Sequence, residues 1–174
     1  MPMEVWRKVY CVPSRGLSGG LAMFWSGRMG VSISSYSQHH IDAVLDFQSP
    51  NPWRFTGFYG SPTVEGKSAA WNILRTLHTH HNLPWLCAGD FNELLSNSEK
   101  WGRRLRPEQQ MAHFRQVVDD FGFMDLGFTG PSFTWCNKGF SCFRTPGQEL
   151  CHNGLDASIS TLSGPPHACS VFGP

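Results

Sequence analysis

The chain has 174 residues with a formal net charge of +1, 16% charged residues and 40% hydrophobic residues. A chain of this length buries roughly 70% of its unfolded surface, so it builds a core without needing disulfides or a structural metal. The near-zero net charge excludes a simple electrostatic sponge for nucleic acid or membrane, and 18 Gly with 12 Pro are too few for a low-complexity disordered chain.

The segment 4–12 alternates weakly and reads as a strand, followed by a turn over Ser14–Gly20. Leu21–Trp25 is a short apolar run, and Gly27–Gly30 turns again. Val31 and Ile33 alternate with Ser32 and Ser34, and Ile41, Ala43, Leu45 and Phe47 are expected on one face of a fourth strand. After a loop over Gln48–Pro52, Trp53–Tyr59 reads as a fifth strand. Short strands joined by tight turns indicate an antiparallel meander. The period then changes: Trp71, Leu74, Leu77 and His81 recur at helical spacing, which predicts a helix over 67–81 ended by Pro84. Trp85–Ala88 is a continuous apolar run, as in a strand buried on both faces. Pro107 is expected at the first position of a second helix, with Met111, Phe114, Val118 and Phe121 inward and Gly122 at its stop. Met124–Leu126 and Ser132–Cys136 read as strands, and beyond about residue 138 the pattern fades into an irregular tail over 161–174. The fold class is α+β, with sheets stacked against each other and helices outside.

The six Cys include no CxxC pair; Cys136, Cys142, Cys151 and His152 come nearest to a ligand cluster, without the close pairing of structural zinc sites. His78, His80 and His81 cluster on the first helix without a carboxylate partner and read as surface residues. The N-terminus carries charges where a signal peptide needs an apolar run. No stretch approaches the ~18 apolar residues of a membrane span. The expected location is intracellular, nuclear or cytoplasmic.

The most informative tetrapeptide is Gly89-Asp90-Phe91-Asn92, at the end of the apolar run. In an extended segment Asp90 and Asn92 point the same way and Phe91 the other. A carboxylate at such a position can orient a water, and an amide can hold a phosphoryl oxygen; the same residues also suit an ordinary turn after a strand. Tyr59 ends its own strand, either as packing or as a site residue, and Asp156 lies in Gly154-Leu155-Asp156. Trp135 and Asn137 read as a core Trp and a turn Asn, and Lys100, Arg103, Arg104 and Arg106 form a basic loop, either a solvated face or a nucleic-acid contact.

In order along the chain, GLSGGLAMFW (16–25), HIDAVL (40–45), WRFTGFYGSP (53–62), PWLCAGDFNELL (84–95), MAHFRQVVDDFGFMDLGFTGPSFTWCNKG (111–139) and GLDASIS (154–160) resemble the endonuclease/exonuclease/phosphatase family, and most closely the endonuclease domain of plant non-LTR (LINE-type) retroelements. The resemblance implies a DNase I-like sandwich over 1–160, incomplete at both ends, and a Mg²⁺-dependent phosphodiester endonuclease that nicks DNA. It implies that Asp90 orients the attacking water, Asn92 holds the scissile phosphate, Tyr59 contacts it and Asp156 buttresses the catalytic His. No other small-molecule cofactor and no membrane partner are expected. The family's early metal-binding Glu and its Ser-Asp-His segment have no match: Glu4 is the only early carboxylate and His167 sits between Pro166 and Ala168. Residues of such a site act as a unit, so the expectation is little or no turnover. The alternative is a non-catalytic remnant or a weak nucleic-acid-binding module. With strands missing at its start, the chain is expected to leave Trp25 and Phe58 more exposed than their pattern implies.

Overall fold

The computed structural model describes residues 6–14, 20–102, 104–125, 135–137, 141–143, 150–152 and 169–172. Strands β1 (Trp6–Val12), β2 (Leu21–Ser26), β3 (Val31–Ser37), β4 (His40–Leu45) and β5 (Trp53–Tyr59) follow one another. Helix α1 (Val64–His78) leads to β6 (Trp85–Asp90). A short 3-10 turn (Asn97–Glu99), β7 (Lys100–Gly102) and helix α2 (Glu108–Asp120) come next. Then come β8 (Met124–Asp125), β9 (Trp135–Asn137), β10 (Ser141–Phe143), β11 (Leu150–His152) and β12 (Cys169–Phe172).

These build a six-stranded sheet in the order β3-β4-β5-β6-β11-β8 and two three-stranded sheets, β1-β2-β12 and β7-β10-β9. Pairing is antiparallel except between β5 and β6, which run parallel. A parallel neighbour needs a crossover, and α1 is that crossover. Val12, Leu21, Met23 and Trp25 pack face to face against Ile41, Ala43, Leu45 and Phe55. On the other face of the six-stranded sheet, Phe58, Trp85 and Cys87 pack under Trp71, Leu74 and Leu77 of α1 and Phe114, Val117 and Val118 of α2. The result is a mainly antiparallel sandwich with helices on one outer face.

That outer face is not purely apolar. Asp42 and Arg54 are fully buried there as an ion pair at 2.8 Å. Thr56 Oγ1 donates to Asp42 Oδ1 (2.5 Å), and Trp85 Nε1 donates to Thr56 Oγ1 (2.9 Å). Arg54 Nη1 donates to the Leu77 carbonyl near the end of α1 (2.7 Å), where a cation also complements the helix dipole. Beside this pair, His40 is held between the Ser35 and Ser37 hydroxyls (3.0 and 2.8 Å). Burial, only partly offset by the Asp42 charge and reinforced by Arg54, His39 and His80, lowers its pKa to about 4. It is therefore a neutral ring at physiological pH. Burial also pushes the Cys87 thiol up, so it is a protonated core residue.

Several expectations change. The fourth strand stops at Leu45, because Asp46 takes a left-handed conformation (φ 50°), and Phe47 is exposed. Helix α1 starts three residues before the predicted boundary, where Thr63 Oγ1 accepts from the Gly66 N–H (3.3 Å). It ends at His78, well before Pro84, once the buried stripe runs out at Leu77; His81 lies beyond it. Pro107 is the N-cap of α2, not its first residue. The C-terminal end behaves as predicted: Gly122 (φ 59°) donates to Asp119 O and Phe123 N–H to Val118 O, a Schellman closure. Strand β6 is fully buried on the helix side only, with Leu86 and Ala88 half-buried on the other. Trp25 (8% exposed) and Phe58 (1%) are core residues, not exposed ones. Asn137 lies in β9 and not in a turn. Within 161–174, Cys169–Phe172 form β12 against β2, while the remainder lies outside the described residues. No helix among the described residues is long and apolar enough to cross a membrane.

Candidate functional site at the ends of β5 and β6

Because β5 and β6 run parallel, they end together, and the register pairs Tyr59 with Asp90. Open sheets bind ligands at such carboxyl ends. The two ends approach closely. Gly60 N–H donates to Asp90 O at 2.7 Å, and a Cβ on Gly60 would lie 2.0 Å from the Phe91 carbonyl oxygen. Gly89 has φ +145°, and a Cβ there would meet the Phe58 carbonyl oxygen at 2.0 Å. Glycine at 60 and 89 is thus what lets the strand ends touch.

Tyr59 is braced by His39: the Tyr59 N–H donates to His39 O, and His39 Nδ1 donates to Tyr59 O, both at 2.8 Å. Asp90 is exposed; its Oδ1 accepts from the Asn92 N–H at 2.8 Å, closing a tight turn. Phe91 is fully buried between Phe58 and Phe114, so the aromatic anchor predicted beneath the site is present. The predicted extended geometry is not. Asn92 has φ 53°, the chain turns back after Asp90, and Asn92 Nδ2 donates to Gly60 O at 2.9 Å. The turn, not strand alternation, brings Asp90 and Asn92 together.

Sequence reasoning missed the group beneath this turn. Glu93, 0% exposed, pairs with Lys67 of α1 (2.8 Å to Oε2) and Arg106 (3.0 Å to Oε1). Lys67 Nζ also donates to Asn92 O at 2.5 Å. Burial lowers the Lys67 pKa, against the hydrogen bond and charge of Glu93. The only sequence signal was Glu93 itself, a carboxylate adjoining the tetrapeptide and followed by the apolar Leu94-Leu95 pair. The basic stretch is divided. Lys100 opens β7 and donates to Arg104 O, Arg104 is exposed, and Arg106 turns inward to Glu93. Partial burial, then the Arg106 and Arg104 charges, lower the Lys100 pKa. Arg103 and Asp156 lie outside the described residues, as do the side chains of Cys136, Cys142, Cys151 and His152.

The expected Mg²⁺ finds no fitting donor set among the described residues. Among those residues no three His, Cys, Asp or Glu side chains converge, Asp90 is a single carboxylate, and Glu93 already lies between two cations.

No protein-family model and no curated protein sequence matches the chain. Among solved structures, the chain is similar to the endonuclease domain of TRAS1, a telomere-specific non-LTR retrotransposon. The TM-score is 0.61 at 14% identity, over 97% of this chain and 80% of that one. The fold is DNase I-like. The human Nocturnin catalytic domain with bound sulfate is a more distant match, with a TM-score of 0.40 at 12% identity over 72% of this chain and 52% of that one. In this DNase I-like chain, the parallel pair β5–β6 brings Tyr59, Asp90 and Asn92 to one edge of the sandwich.

Proposed function

We propose that this chain is a DNA-facing phosphodiester endonuclease domain of LINE-type retroelement origin, with little turnover of its own. The observation that carries the reading is the convergence of Tyr59, Asp90 and Asn92 at the paired ends of β5 and β6, in a DNase I-like sandwich. In this reading the exposed Asp90 carboxylate orients water, the Asn92 amide donates to a phosphoryl oxygen, Tyr59 lies against the phosphate, and Asp156 serves as a buttress. Lys100, Arg103 and Arg104 neutralise neighbouring phosphates. Mg²⁺ would oppose oxyanion charge in a complete site of this kind, but Asp90 alone is a poor cradle for it, and no Ser-Asp-His occurs in the sequence. Binding without efficient cleavage follows, since such groups act as a unit.

Supercoiled plasmid incubated with Mg²⁺ tests this. The chain is expected to nick it no faster than the Asp90→Ala variant. Mg²⁺-dependent nicking that disappears in Asp90→Ala would overturn the low-turnover reading.

A further inference from the structure

We infer that Lys67, Glu93 and Arg106 form an ionic clamp that positions Asn92, and that Arg106 acts inside the protein and not as a nucleic-acid contact. This rests on the reading of Asn92 as a phosphate-facing amide. A fully buried carboxylate is tolerated only with compensating partners: Glu93 has a cation within ion-pair distance of each oxygen, and its Oε1 also accepts from the Leu94 N–H at 3.1 Å. Lys67 reaches past it to the carbonyl of Asn92. That residue holds a left-handed conformation, which Asn adopts more readily than other non-glycine residues, and Lys67 fixes its carbonyl in that turn.

Arg106 is equally fixed. Its N–H donates to Asn97 Oδ1 at 2.8 Å, and its carbonyl accepts from Asn97 Nδ2 at 3.2 Å. The backbone around it is thus pinned while the side chain, 29% exposed, lies with its Nε 3.0 Å from Glu93 Oε1, a charge contact and not an aligned hydrogen bond. The same loop is secured from α2, where Arg115 Nη1 donates to Leu95 O at 2.7 Å, and from the 3-10 turn, where Glu99 Oε2 accepts from Leu95 N–H at 3.1 Å. Lys67 and Arg106 are positioning residues: they act on Asn92 through its carbonyl and through Glu93. The basic stretch therefore has two jobs, with Arg104 facing solvent and Arg106 bracing the turn.

The test uses a fluorescein-labelled short DNA duplex and the full chain, with affinity read by anisotropy. Lys67→Met is expected to weaken binding about tenfold, the size of effect that supporting partners of a site residue have, and Lys67→Arg to restore most of it. Because Lys67 acts through Asn92, Lys67→Met combined with Asn92→Ala should be no worse than the weaker-binding single variant. Losses that multiply would overturn the clamp. Arg106→Gln should weaken binding without changing its salt dependence, whereas Arg104→Gln should reduce the slope by about one phosphate contact. A slope reduction in Arg106→Gln of the same size would make Arg106 a direct contact and contradict the inference. Amide exchange in the free protein separates the clamp from the binding reading. Lys67→Met and Arg106→Gln should each speed exchange at Asn92 and Leu94 while leaving β4 protected. Unchanged exchange sinks the clamp, and a wild-type chain that binds no DNA sinks the proposed function alone.

Discussion

Replacing Arg54 by Met is expected to lower the unfolding free energy by about 3–5 kcal/mol, measured by urea denaturation. A small domain has about 5–15 kcal/mol in total, so the loss would bring it close to unfolding at ambient temperature. The reason is what the substitution strands. Asp42 is 0% exposed and its Oδ1 is shared by Arg54 Nε and Thr56 Oγ1. Without the guanidinium, a buried carboxylate keeps one hydroxyl donor. The Leu77 carbonyl loses its donor, and the cation stacked 4.4 Å over the Trp85 ring disappears. Removing both charges is a different matter. Asp42→Leu with Arg54→Met should recover most of the loss, because a buried ion pair contributes little beyond what an apolar pair of similar volume provides. A loss under about 1 kcal/mol for Arg54→Met alone would show that water reaches the pair.

Gly60→Ala is expected to cost about 3 kcal/mol and to weaken DNA binding together with stability. The added Cβ would meet backbone, the Phe91 oxygen at 2.0 Å and its carbonyl carbon at 2.5 Å, so no rotamer change can relieve it. The strand ends must separate, and the bonds from Gly60 N–H to Asp90 O and from Asn92 Nδ2 to Gly60 O go with them. Gly30→Ala is the matched control, since its Cβ would rest 3.6 Å from the Phe47 ring in ordinary contact. It should change stability by no more than about 0.5 kcal/mol. Thermal unfolding of the two variants side by side checks this, and equal effects would contradict the close approach of β5 and β6.

Local patterns made the layers of this fold legible. The apolar run Leu21–Trp25 and the shared face of Ile41, Ala43 and Leu45 pointed to the strands that meet between the sheets, and the spacing of Met111, Phe114 and Val118 marked the buried stripe of α2. What was not legible depends on distant partners. Ile41, Ala43 and Leu45 announce one buried face, but nothing in the period says that Asp42 and Arg54, on the opposite face, are covered by α1 and form an ion pair there. The strand β12 has no periodic signature because it is short and defined by its pairing with β2, far away in sequence. Gly89-Asp90-Phe91-Asn92 pointed to the joint ends of β5 and β6, where its expected geometry is half met. The aromatic anchor is there, but a left-handed turn at Asn92 replaces the extended strand. The charge under that turn arrives from α1 and from the stretch before α2, so adjacency in sequence showed only Glu93.

The central claim is that the edge formed by Tyr59, Asp90 and Asn92 is the nucleic-acid-facing site. The most direct measurement is a titration of isotope-labelled chain with a short DNA duplex, followed residue by residue in amide correlation spectra. The account predicts that the largest shifts fall on the backbone of Tyr59–Ser61 and Asp90–Leu94 and on the Asn92 side-chain amide, with smaller ones at Lys100 and Arg104. Shifts confined to the basic stretch, with Tyr59, Asp90 and Asn92 unmoved at saturation, would contradict it.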